Sequence, residues 1–153
     1  MLQNKELLRS GFPYLITLGQ RRVTSTPLDI GFGKEKIYVL VRNLNLGTYI
    51  RVINWEDDNL GTIGGPEGTR SPSPGNENII EASFQWPAGL LVDEDENLYV
   101  TDEAKHCVVV MNKDGSHLGT WGEYGTGETQ LNRPSGISFD REGNILLSDT
   151  MNN

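Results

Sequence analysis

The stretch FQWPAGLLVDEDENLYVTD, Phe84 to Asp102, returns 47 positions further on as LNRPSGISFDREGNILLSD, residues 131–149. Pro87 pairs with Pro134, Gly89 with Gly136, Asp93 with Asp140, Asn97 with Asn144, and Asp102 with Asp149. A unit of this length, built of short strand-like runs, cannot bury its apolar residues alone and must stack on copies of itself. A period of ~40–50 residues made of strands is that of a propeller blade.

Composition supports an all-β chain and narrows its partners. The 153 residues fit one domain, and the 18 glycines fall between short runs of Val, Ile, Tyr, Trp and Thr, as expected of strands joined by tight turns. The formal charge of −8 disfavours nucleic acid as the main partner, because phosphate binding needs clustered Lys and Arg. A single cysteine, Cys107, excludes an internal disulfide and fits a reducing compartment. The first residues, MLQNKELLRSGFPYLITLG, lack the apolar core of a signal peptide, and no apolar run reaches the length of a membrane span. The default expectation is a soluble, cytoplasmic chain; in a longer protein the true N-terminus would lie elsewhere.

Taken in order, the chain divides as follows. Residues 1–26 hold a short helical turn (Asn4 to Arg9) and, at Tyr14–Leu18, the last strand of a preceding blade. Residues 27–65 are a first blade with strands at Leu28–Phe32, Lys36–Arg42, Tyr49–Asn54 and Leu60–Gly64. Residues 66–86 are a Pro-, Ser- and Gly-rich insertion and linker. A second blade, 87–122, has strands at Gly89–Asp93, Asn97–Thr101, Cys107–Met111 and His117–Trp121, the last two joined by a two-residue Asp-Gly hairpin in NKDG. An inter-blade loop, 123–133, precedes residues 134–153, the first half of a third blade. Gly143 occupies a turn position suited to a left-handed backbone. Its counterpart is Glu96, which costs roughly 1 kcal/mol there relative to glycine.

The pattern Pro-x-Gly-(apolar)-x-(apolar)-Asp-x-x-Gly-Asn, followed by three apolar residues and x-Asp-Thr-x-Asn-Asn, resembles the NHL repeat. It is carried by Pro134, Gly136, Asp140, Gly143, Asn144, Asp149, Thr150, Asn152 and Asn153, and in the second repeat by Pro87, Gly89, Asp93, Asn97 and Asp102. The second repeat departs from it at Glu96 and at Glu103–His106, where Glu-Ala-Lys-His stands for Thr-x-Asn-Asn. The resemblance implies a six-bladed propeller, of which one lone strand, two full blades and half a blade are present. Two expectations follow: the chain is a fragment, or two copies form a homodimer that closes one ring.

Strands alternate in direction within a blade, so the second and fourth strands end on one face of the disc. The connections 42–48, 65–86, 102–106 and 122–133, and the segment from Asp149 onward, gather there, and loops on a rigid scaffold are where binding residues collect. The candidate ligand-binding residues are Arg42, Asn43, Arg70, Asp102, Glu103, His106, Tyr124 and Asp149. For Asp102 and Asp149 the plain alternative is a carboxylate that accepts backbone N–H bonds of the next loop. For His106 it is a loop histidine rather than a metal ligand or general base. His117 stands on an outer strand and does not complete a metal set. Asp93-x-Asp95-x-Asn97 imitates a calcium loop but has Leu98 where the turn glycine belongs and Ala104 at the twelfth position. Gly122-x-x-Gly125-x-Gly127 imitates a phosphate loop with no helix pattern after it. Cys107 reads as a buried thiol, and Trp86 and Trp121 as residues packed between blades.

No catalytic constellation is supported, and no cofactor is evident. The expected function is a non-catalytic binding module for a protein, a peptide or a small polar ligand. The resemblance also implies an alternative: a metal-dependent propeller enzyme, similar to peptidylamidoglycolate lyases or gluconolactonases, with zinc or calcium in its channel. RNA binding through the same face is a third reading, against which the acidic balance counts.

Overall fold

The computed structural model describes Leu18 and residues 26–43, 47–64 and 84–152. The expected helical turn at Asn4–Arg9, the strand at Tyr14–Leu18 apart from Leu18 itself, and the insertion from residue 66 to residue 83 lie outside the described residues.

Ten strands form three antiparallel sheets. Strands β1 (Pro27–Phe32), β2 (Lys36–Asn43), β3 (Gly47–Asn54) and β4 (Asn59–Ile63) make the first, in sequence order. Strands β5 (Pro87–Val92), β6 (Leu98–Asp102), β7 (Cys107–Met111) and β8 (His117–Trp121) make the second. Strands β9 (Pro134–Phe139) and β10 (Ile145–Asp149) make the third. This is the meander of propeller blades, two complete and one half, and the architecture is a partial β-propeller.

Side chains alternate across each sheet, so each blade has two faces to cover. Between the first two blades Tyr38, Leu40, Ile50, Val52 and Ile63 meet Leu90, Leu98, Val100, Cys107, Val109 and Met111 in one buried cluster. The opposite face of the first blade buries Ile37, Val39, Val41, Tyr49 and Ile53, with Leu18 packed against them. Fully burying an aliphatic or aromatic side chain of this kind contributes about 1.5–3 kcal/mol, so stacking of blades dominates the stability. Cys107 is buried, as expected, and its thiol is pushed up in pKa by burial and by the neighbouring Asp102. Trp86 and Trp121, expected to pack between blades, stay 45% and 46% exposed. Trp121 leans on Tyr99 with ring centroids 5.3 Å apart.

Four of the hairpins share one device. In Asn54–Asp58, Asp93–Asn97, Asn112–Ser116 and Asp140–Asn144 the first side chain accepts the N–H groups two and four residues on. The fourth residue of each (Asp57, Glu96, Gly115, Gly143) has positive φ, between 62° and 89°. The NKDG turn is therefore not the expected two-residue hairpin: Lys113, Asp114 and Gly115 all lie between Asn112 and Ser116, because Asn112 holds two N–H groups that a tighter turn would not present. Glu96 takes the left-handed position as expected, and its carboxylate reaches the first blade, accepting from the Lys34 N–H at 3.3 Å and the Tyr38 hydroxyl at 3.4 Å. The side chain thus brings an inter-blade contact that glycine could not supply. Burial first, and then Glu96, push the Tyr38 phenol far up in pKa.

Two of the turn carboxylates make a pH prediction. Burial would raise Asp93, but hydrogen bonds from Asn97, from the Tyr99 hydroxyl at 2.9 Å and from the Asp95 N–H outweigh it and hold the carboxyl low. Asp140 is held low by Asn144 first, with the Glu142 and Gly143 N–H groups adding to it. A carboxyl lowered in the folded state adds stability that is fully present above its unfolded value of about 3.9 and is lost as pH falls through the lower folded value. Carboxyl-carbon NMR titration is expected to find both midpoints low. Tyr99→Phe is expected to raise that of Asp93 and leave that of Asp140 in place; an unmoved Asp93 would mean that the phenol does not hold it.

Candidate functional site

The site face begins at the ends of β2, β6 and β10, where Val41, Asp102 and Asp149 stand in equivalent places, each opposite the proline that opens its blade. Asp102 is fully buried. Its Oδ2 accepts the Gln85 N–H at 2.6 Å, and its Oδ1 accepts the Trp86, Ala104 and Lys105 N–H groups at 3.0, 3.1 and 3.2 Å. With four backbone donors, this carboxylate clamps the incoming loop to the turn after β6, which is the structural role weighed for it. Asp149 does the same more sparingly, accepting the Asn132 N–H and the Asn152 amide, each at 2.6 Å.

Arg42 stands where the second blade has Glu103, and Val41 before it breaks the series. Without a carboxylate at this place, the first blade uses the Thr26 hydroxyl, which donates to the Arg42 carbonyl. The Arg42 side chain turns to the next blade, its guanidinium carbon 4.2 Å from the centre of the Trp86 ring. Such cation–aromatic contacts contribute about 0.5–2 kcal/mol and leave the guanidinium N–H groups in the ring's plane direction open for other acceptors.

The same junction recurs between the second and third blades with different chemistry. Arg133, the residue before Pro134, is the equivalent of Trp86. Its guanidinium donates to Glu103 Oε2 from Nη2 at 2.7 Å and from Nε at 3.1 Å, and its backbone N–H donates to His106 Nδ1 at 3.2 Å. The His106 ring stands edge-on to Tyr124, centroids 4.7 Å apart. His106 and Arg133 both have positive φ, 56° and 58°. That conformation costs of order 1–3 kcal/mol for each such residue, and Arg133 carries the further restriction that a following proline imposes. A backbone N–H on Nδ1 places the proton of neutral His106 on Nε2, which becomes a donor toward solvent.

These contacts form one continuous strip. The Glu103 N–H donates to the Trp86 carbonyl at 3.0 Å, joining the Arg42–Trp86 pair to the Glu103–Arg133–His106–Tyr124 group. The Asn152 amide donates to the Gly125 carbonyl at 2.8 Å, anchoring the loop that carries Tyr124.

Of the residues expected at the site, Arg42, Glu103, His106 and Tyr124 lie along this strip, while Asp102 and Asp149 lie beneath it as supports. Arg70 and the side chain of Asn43 lie outside the described residues. Arg133 was not among the candidates. Its signal was present all the same, since it stands 47 positions after Trp86 in the repeat. His117 is placed apart, with Nε2 2.9 Å from the Thr120 hydroxyl. Asp93 spends its carboxylate on its own turn and on Tyr99, so the imitation calcium loop is a capped hairpin. The 122–133 loop closes through a Tyr124–Leu131 bridge and leads to β9. Among the described residues no group of three His, Cys, Asp or Glu side chains converges to hold a metal, and no helix is long and apolar enough to cross a membrane.

Of the comparisons with known proteins, the family model bears on this architecture. The NHL repeat family model matches residues 84–111, the end of the incoming loop through β7. The vitellogenin receptor of Solenopsis invicta is 31% identical over 98 residues, which cover 59% of this chain and 5% of the receptor. The chain thus spans a small part of the length of that relative. A solved structure of a protein of unknown function from Bacteroides caccae is similar at 17% identity with a TM-score of 0.42, over 79% of this chain and 37% of that one.

Proposed function

From an NHL repeat set in the second blade of a partial β-propeller, we infer that the chain works as a non-catalytic binding module whose loop face holds a protein or peptide partner. One observation carries this reading. Departures from the repeat at Arg42 and at Glu103–His106 gather in one strip on the loop face, whereas the departure at Glu96 makes a contact between blades. Positions that follow the repeat, such as Asp102, Asp149 and Thr101, hold the scaffold together. The strain at His106 and Arg133 fits a surface kept in shape for contact. The relative from Solenopsis invicta is named as a receptor, a function of binding.

The experiment is site-specific photo-crosslinking from the two faces. A photoreactive residue replaces Tyr124, 67% exposed on the loop face, or Glu142, exposed in a hairpin on the opposite face. Partner adducts are expected from position 124 and not from position 142. Adducts from position 142 alone would overturn the reading. Stoichiometric zinc or calcium in the purified protein, found by elemental analysis, would do so too and would favour the metal-dependent enzyme.

A further inference from the structure

We propose that the loop face receives the carboxylates of an acidic peptide segment, with the guanidinium of Arg42 and the Nε2–H of His106 as donors at separate points along it. The proposal rests on the loop-face reading above and adds the chemistry of the partner. Arg42 is half-buried, and among the described residues its guanidinium makes no hydrogen bond or ion pair and lies over the ring of Trp86. This is unusual in a chain with 21 acidic and 13 basic residues, where a cation has many carboxylates to choose from. Most of the described acids are elsewhere, although Glu123, which accepts the Gln130 amide, and Glu128 lie in the 122–133 loop of this face. Glu56, Asp57 and Asp58, Asp93 to Glu96, Asp114, and Asp140 with Glu142 all sit in the hairpins of the opposite face.

Along the strip itself the described carboxylates are already engaged. Asp102 and Asp149 are taken up by the N–H groups they hold, and Glu103 by Arg133. Among the described residues, what the strip presents at Arg42 and His106 is therefore donors whose acceptors lie outside it. A guanidinium whose flat face is fixed on an aromatic ring keeps its N–H fork in a set orientation and matches the two oxygens of a carboxylate. His106 adds a neutral donor, because its Nδ1 is occupied by the Arg133 N–H and its proton sits on Nε2. The same occupancy makes His106 a poor metal ligand through Nε2, whose lone pair is absent in that tautomer. A peptide suits this site better than a nucleic acid. One or two carboxylates can be met locally, whereas a phosphate chain would carry its charge past a protein of net charge −8.

The test is an NMR titration of the isotopically labelled chain with an oligoglutamate peptide, an oligolysine peptide, a Gly-Ser peptide of the same length and a single-stranded oligonucleotide. The signals followed are Arg42 Nε–H, the Trp86 indole N–H and the His106 ring. Only oligoglutamate is expected to move them, and Arg42→Gln is expected to weaken its binding by about tenfold while the variant stays folded, with its amide spectrum unchanged away from Trp86. Movement by all peptides alike would overturn the carboxylate proposal and leave the loop-face reading standing. Equal binding of the oligonucleotide, or an Arg42→Gln variant that binds oligoglutamate as tightly as the parent, would also overturn it. Shifts confined to the hairpin face would overturn both readings.

Discussion

Replacing Asp102 with alanine is expected to destabilise the chain by about 3–5 kcal/mol, which lowers the thermal midpoint by roughly 10 °C. The reason lies in the donors left behind. Asp102 is fully buried and accepts from Gln85, Trp86, Ala104 and Lys105. Each backbone N–H left buried without a partner costs about 1–3 kcal/mol, and only those nearest the surface can turn to water. Asp149→Ala should cost less, about 1–2 kcal/mol, since Asp149 is half-buried and holds one backbone N–H and one side-chain amide. Urea unfolding of the two variants checks the order. Were Asp102 a ligand-binding group instead of a clamp, Asp102→Ala would unfold with the parent and lose binding alone.

How much of this could be read from the sequence depends on whether a residue works within its own repeat or across to the next. The blades were legible because Pro87, Gly89, Asp93, Asn97 and Asp102 return at a fixed offset, and strand boundaries followed to within two residues. The clamp role of Asp102 was legible too, as an acid at the end of a strand with a loop to hold. The Asn112 hairpin was misjudged because Asp-Gly is a strong signal for a two-residue turn. The competing signal was the asparagine two residues before it, the same Asx device that Asp93 and Asp140 show.

Contacts between blades were not legible in this way. Arg42 on Trp86, and Glu103 with His106 on Arg133, join residues 27 to 44 positions apart through side chains that the repeat does not keep. Nothing in local pattern tells which loop residue meets which; the sheets must first be stacked. Yet an alignment of the repeats against one another marks all of these positions as departures. In a repeat protein the departures are where the site is to be sought, because the shared residues are already committed to holding the blades.

The seam between the second and third blades makes the last prediction, and it has a built-in control. Gly89 in β5 lies against β9: a Cβ added there would stand 2.5 Å from the Ser135 carbonyl oxygen, 3.1 Å from the Thr101 hydroxyl and 3.3 Å from Ile137. The Thr101 hydroxyl uses this closeness. It accepts the Gly89 N–H at 2.8 Å and donates to the Ser135 carbonyl at 2.6 Å, one hydroxyl bridging two blades. The first blade does it differently. At the places equivalent to Gly89 and Thr101 it has Asp29 and Leu40, and there the Asp29 carboxylate itself accepts the Leu90 N–H of the second blade at 2.8 Å. Gly89→Ala pushes a methyl group into a backbone carbonyl that can yield only by moving β9 and breaking the Thr101 bridge. A loss of about 2–3 kcal/mol is expected. Gly119→Ala, in β8, is the control. No atom lies within 4 Å of its added Cβ. It should therefore gain about 0.5 kcal/mol from the narrower unfolded ensemble. Opposite shifts of the urea midpoint for the same chemical change would show that the blades are held at a fixed separation by a hydroxyl bridge and a missing side chain. Shifts of the same sign would mean that the seam opens without cost and that the third sheet is not docked on the second as described.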